Sequence, residues 1–144
     1  MNLLYMTLDG IKIPDWLIDD AMCQPNKGSV ESDAIHDFVD ATILPYVKDH
    51  PLAGSALVAS TCHIHISDRG LSTHDHAPHH LTSVLYLTDA SGELVIDPDG
   101  INETVKPTRG RLVIFASTTP HAVNPSPSPE LRISLVNNYV NPSV

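Results

Sequence analysis

The apolar positions change their spacing near residue 54. Ahead of it, residues 3–8 read as a short edge strand closed by Asp9-Gly10. Pro14 then sits where the first turn of a helix tolerates it, before Trp16-Leu17-Ile18. Asn26-Lys27-Gly28-Ser29 breaks that helix. Over residues 30–47 the apolar side chains Val30, Ala34, Ile35, Phe38, Ala41, Thr42 and Leu44 recur at helical spacing, with Glu31, Asp33, Asp37, Asp40 and Lys48 on the other side. This predicts an amphipathic helix packed on a sheet, with Trp16 and Phe38 as core residues.

Beyond Gly54 the pattern turns to strands over residues 56–66, 81–88, 93–96, 111–116 and 131–139, each bounded by Gly, Pro, Asp or Asn. No helical pattern separates them, so antiparallel pairing is expected. The pattern predicts a mainly β fold, an α-flanked barrel or sandwich of the jelly-roll kind with N-terminal flanking helices. One domain is expected over residues 1–144, with residues 1–53 supplying a strand and helices and residues 54–144 the jelly-roll core. The alternating Pro-Ser tract at 125–129 reads as an extended connection between the last two strands.

Composition narrows the classes. With 42% hydrophobic and 17% charged residues the chain reads as globular, and a formal charge of −9 with scattered Lys and Arg argues against nucleic acid as a partner. No apolar run reaches the roughly 20 residues that span a bilayer, and the N-terminus lacks a basic leader region. The expected location is the cytoplasm, or a host cytoplasm if the gene is carried by a phage. Cys23 and Cys62 are expected to be reduced and buried.

Chemistry enters with the histidines, six of nine of which fall between residues 63 and 80. His74 and His76 flank Asp75, so on an extended segment both imidazoles point one way and the carboxylate the other. The pair alone suits chelation and a solvated loop equally. His121, after the strand-like run Leu112-Val113-Ile114-Phe115, favours chelation because it would lie at a strand entrance. His63 and His65 alternate with apolar neighbours on a strand bordering the pocket and read first as structural. His79 and His80 read as loop surface.

Arg132 is the second anomaly. Alternation places Arg132, Ser134 and Val136 on one face of a strand, where a guanidinium is costly unless a carboxylate answers it. No acid in the chain is an obvious partner. A bound dicarboxylate would fill the role, with Ser134 adding a hydroxyl, whereas an outward-facing Arg132 would meet only water.

The order His74-Asp75-His76, then His121, then Arg132-Ile133-Ser134 eleven positions later resembles the non-haem iron, 2-oxoglutarate-dependent oxygenases. Their pattern is a His-x-Asp/Glu pair, a distal His and an Arg-x-Ser signature. Gly92-Glu93-Leu94 and the run from Lys106-Pro107 through Gly110-Arg111-Leu112 to Phe115 resemble the family's intervening segments, so the likeness covers residues 56–138. Within the family it resembles a bacterial and phage branch whose metal motif is His-x-His.

The resemblance implies a double-stranded β-helix, the cupin-like form of the jelly roll, with Fe(II) held by His74, His76 and His121, and 2-oxoglutarate held by Arg132 and Ser134 with Tyr86 near it. It also implies dioxygen and a small-molecule or peptide substrate as partners, and it leaves room for a homodimer. Hydroxylation coupled to conversion of 2-oxoglutarate into succinate and carbon dioxide is the implied reaction. The departure is His76, which stands where a carboxylate is usual, so either three histidines bind or Asp75 turns inward. Three neutral ligands would leave the iron more positive. A cupin-like three-histidine metalloenzyme that ignores 2-oxoglutarate is the alternative enzyme. A non-catalytic binding or virion-associated module is the alternative outside enzymes.

Overall fold

The computed structural model describes residues 5–54, 56–67, 70–76, 79–126 and 131–142. The chain begins with β1 (Tyr5–Leu8), the expected edge strand, although its positions 3 and 4 lie outside the described residues, as does 127–129 of the Pro-Ser tract. Helix α1 (Asp15–Ala21) follows Pro14, whose extended backbone caps it. The second helical region starts at α2 (Asp33–Phe38), with the Ser32 side chain accepting from the Ile35 N–H. Val30 therefore lies outside the helix.

That region is not uniform. It widens into a π-helical segment, Val39–Ile43, before closing again as α3 (Leu44–Lys48). Pro45 explains this, because a proline inside a helix has no N–H to donate and its ring crowds the carbonyl four residues back. The wider turn holds positions four apart on one face, and Ile35, Val39, Ile43 and Val47 are all buried. Ala34 and Ala41, expected on that face, are exposed instead.

Among the described residues, nine strands form two antiparallel sheets. Five of them, in the order β1-β7-β4-β9-β2, comprise β1, β2 (Val58–Ser67), β4 (Leu81–Tyr86), β7 (Leu112–Ala116) and β9 (Arg132–Val140). The other sheet runs β3-β8-β5-β6, from β3 (Leu71–His74), β5 (Leu94–Ile96), β6 (Glu103–Val105) and β8 (His121–Val123). The two sheets and their flanking helices make the expected jelly-roll arrangement.

Period-2 alternation divides the interior. One face of the larger sheet presents Ile64, Leu81, Leu85, Leu112, Ile114 and Leu135 to the helices. Its other face presents Val84, Tyr86, Val113, Phe115 and Val136 to Leu94, Ile96 and Val105 of the smaller sheet. Phe38 is buried as expected, but Trp16 is 43% exposed and meets the Phe38 ring only edge-on, 6.1 Å between centroids. Both cysteines are free, and Cys62 is buried; Cys23, contrary to expectation, is exposed just beyond α1, where the chain leaves the core. Among the described residues, no helix is long and apolar enough to cross a membrane.

Candidate functional site

The site lies between the sheets, and strand register builds it. His74 ends β3 and stands directly opposite His121, the first residue of β8. Two residues past β3, the His76 backbone N–H donates to the Ser117 carbonyl at 2.8 Å, which turns the segment back over the barrel end. The ring centroids are 4.3 Å apart for His74 and His121, 4.8 Å for His76 and His121, and 5.2 Å for His74 and His76. One nitrogen from each ring can be chosen so that all lie within 4.8 Å of one another. The Asp75 side chain is exposed between them.

Tautomers are set by the backbone. Nδ1 of His74 lies 2.8 Å from the Ser72 carbonyl, and Nδ1 of His121 lies 2.9 Å from the Thr119 carbonyl. A carbonyl only accepts, so each Nδ1 carries a proton, which leaves Nε2 as the atom through which each ring would bind a metal. The Nε2 atoms of His76 and His121 are 2.9 Å apart. Two ligands at right angles on a divalent metal with bonds of about 2.1 Å would be separated by about 3 Å. Burial, then the neighbouring His121 and His74, pushes His76 down to about 4. Burial pushes His121 to about 4 as well, against the opposing effect of the Thr119 carbonyl. Three imidazole nitrogens converging on one point suit a first-row divalent metal.

Behind the histidines a hydrogen-bonded ladder crosses the larger sheet. The Ser117 hydroxyl donates to Thr82 Oγ1 at 2.8 Å, Thr82 donates to Asn138 Oδ1 at 2.7 Å, and Asn138 Nδ2 donates to Thr61 Oγ1 at 2.9 Å. It fixes Ser117, whose carbonyl anchors His76. No sequence motif marks it, because Ser, Thr and Asn are ordinary turn residues.

Facing the histidines are the inward residues of β9 and its neighbours. A cleft enclosing about 580 Å³, its open mouth included, is lined by all three histidines together with Tyr86, Arg132 and Ser134. Ser134 lies in register with Tyr86 on one side and His65 on the other. Arg132 is 6% exposed, so it faces inward rather than toward water, and its Nη1 donates to the Gly92 carbonyl at 3.1 Å and the Asn124 carbonyl at 3.3 Å. Burial raises the Tyr86 hydroxyl well above its usual range, against the pull of Arg132, so at neutral pH it remains a donor. A guanidinium and two hydroxyls on one wall offer donors of the kind that a carboxylate accepts.

The remaining histidines separate. His65 lines the cleft, whereas His63 is turned to the Gly28 carbonyl, 3.0 Å from its Nδ1. His79 and His80 are not loop surface. Both are half-buried, because the backbone N–H of His80 donates to the Tyr139 carbonyl and its ring reaches the Leu52 carbonyl, drawing the segment into the barrel wall. Sequence reasoning missed Lys27, which joins the cleft from the loop after α1.

The comparisons agree with this architecture. The structure is similar to a 2OG-Fe(II) oxygenase family oxidoreductase from Burkholderia pseudomallei, with TM-score 0.66 and 19% identity over 82% of this chain and 64% of that one. The chain thus spans less than two thirds of that relative. It is also similar to a Pseudomonas putida prolyl-4-hydroxylase, at TM-score 0.70 and 19% identity over 96% of this chain and 88% of that one. A prolyl hydroxylase from Trichoplax adhaerens, solved with a hypoxia inducible factor peptide fragment, matches at TM-score 0.77 and 14% identity over 97% and 84% of the two chains. No curated protein matches the sequence. A sequence model of the 2OG-Fe(II) oxygenase superfamily matches residues 55–140, which contain every side chain of the histidine group and the facing Arg132 wall. The chain belongs to the 2OG-Fe(II) oxygenase superfamily.

Proposed function

We propose that this chain is a non-haem iron, 2-oxoglutarate-dependent dioxygenase, acting as a hydroxylase on a small-molecule or peptide substrate. His74, His76 and His121 hold the metal through ring nitrogens. Arg132 and Ser134 hold the distal carboxylate of 2-oxoglutarate, and the Tyr86 hydroxyl donates to the same group. The single observation carrying this reading is the placement of a buried guanidinium across one cleft from three converging imidazoles.

The bound iron supplies dioxygen activation coupled to decarboxylation of the co-substrate. The chain itself orients. Ser72 and Thr119 fix which imidazole nitrogen is free, the apolar wall of Val84, Leu94 and Val136 limits water, and Arg132 sets how far the co-substrate lies from the histidines. Iron-loaded protein supplied with 2-oxoglutarate in air should release succinate, and His76→Ala should abolish both stoichiometric iron binding and succinate release. Retention of iron by that variant would count against the ligand set. The absence of a carboxylate from the histidine group favours one second reading, a cupin-like three-histidine enzyme, for which Arg132→Ala would leave turnover intact.

A further inference from the structure

The cleft contains a second cation that neither metal binding nor co-substrate binding uses. Lys27 belongs to the loop between α1 and α2, and that loop is stapled along the outer edge of β2. The Lys27 N–H donates to the Ile64 carbonyl at 2.8 Å. Asn26 Nδ2 donates to the Ile66 carbonyl at 2.9 Å, and Asn26 Oδ1 accepts from the Ile66 N–H at 2.8 Å. Lys27 itself has φ +63°, a left-handed backbone that Asn, Asp and Gly adopt readily and lysine rarely does. Gly28 is the next residue, yet the strained position is held by the side chain that reaches the cleft.

His65 lies below it on β2, in register with Ser134. Among the described residues its ring takes no hydrogen bond, so a polar ring nitrogen faces the cleft without a protein partner. Burial chiefly keeps its ring neutral, with His63, Lys27, His74 and Arg132 each also opposing protonation, and it lines the same cleft as Lys27 and Arg132. No Asp or Glu is among the described residues that line the cleft, in a chain of net charge −9.

Charge counting then gives a direction. A divalent metal on three histidines and Lys27 together bring three positive charges to the cleft, and 2-oxoglutarate returns two. The usual carboxylate ligand would have removed another. We infer that Lys27 and His65 form an oxyanion subsite at the cleft mouth, and that the substrate is a small molecule bearing a carboxylate or phosphate. The inference rests on the co-substrate reading above, because Arg132 must be occupied for Lys27 to be the cation left over.

The test uses the full chain loaded with Zn(II) as a diamagnetic metal and saturated with 2-oxoglutarate. Inorganic phosphate and acetate are titrated in separate arms against a chloride control of equal ionic strength, following the carbon-bound ring protons of His65 by NMR. A saturable shift with either anion, weakened at least fivefold by Lys27→Gly while the 2-oxoglutarate Kd stays within twofold, supports the subsite. The tighter of the two anions assigns the group. Glycine suits φ +63°, so that variant loses the cation without backbone strain.

Overturning results are two. Either neither anion moves His65 beyond the chloride control, or Lys27→Gly weakens 2-oxoglutarate as much as Arg132→Ala does. Should 2-oxoglutarate fail to bind at all, the co-substrate reading falls by itself, and the same titration on Zn(II)-loaded Arg132→Ala protein then decides the subsite, because Arg132 no longer competes for the anion.

Discussion

Gly92 makes room for Arg132. The Gly92 backbone sits at φ +88°, its carbonyl accepts from Arg132 Nη1 at 3.1 Å, and a Cβ built there would fall 2.2 Å from that same nitrogen. One residue thus supplies both the acceptor that orients the guanidinium and the space it occupies. Gly92→Ala should lower the melting temperature by an amount equivalent to about 1–3 kcal/mol, from the left-handed backbone and the displaced side chain. It should also weaken 2-oxoglutarate at least several-fold by calorimetry. Unchanged affinity would mean that the Arg132 position does not set co-substrate binding.

On the proposed reading, Arg132→Ala would remove the charge-assisted hydrogen bonds to the distal carboxylate, each of which contributes about 1.5–3 kcal/mol. The 2-oxoglutarate Kd should rise roughly 10- to 100-fold, while metal affinity remains because the histidines lie across the cleft. Tyr86→Phe should raise the same Kd by a smaller factor, about fivefold, since a neutral hydroxyl donates a weaker bond.

The choice between Asp75 and His76 as ligand is directly testable. Asp75 is exposed, while His76 Nε2 already lies 2.9 Å from His121 Nε2. Asp75→Asn should keep iron binding within a few-fold, and His76→Ala should lose at least a hundredfold in metal competition assays. Reversed results would place the carboxylate on the metal.

Metal-free protein should lose stability in acid. His76 and His121 lie near 4 when folded, below the ordinary value of 6.5, so between those limits the unfolded chain binds more protons. Stability from this source is complete above about pH 6.5 and falls as pH drops toward 4. Melting temperature of the metal-free form should decline across that window, and His76→Gln should flatten the decline. A decline confined below pH 4 would assign it to carboxylates instead.

Much of the site was legible because period-2 alternation fixes faces. Once residues 131–139 read as a strand, Arg132 and Ser134 had to share a side, and β9 carries both into the cleft. The smaller sheet was harder to see. Its strands β3, β6 and β8 are only three or four residues long, and Leu71-Ser72-Thr73-His74 holds a single apolar side chain, so backbone pairing rather than hydrophobic pattern defines them. The π segment was hidden because Pro45 acts through a carbonyl rather than through spacing. Lys27 was invisible for a related reason, since only tertiary pairing with Ile64 brings it to the cleft.

The central claim is that three histidines and Arg132 together bind iron and 2-oxoglutarate in one cleft. Anaerobic titration of Fe(II)-loaded protein with 2-oxoglutarate, followed by visible absorption, tests it most directly. The account predicts a saturable charge-transfer band that develops in the wild type and requires at least tenfold more 2-oxoglutarate in Arg132→Ala. Iron bound at one equivalent with no such band at saturating 2-oxoglutarate would contradict it.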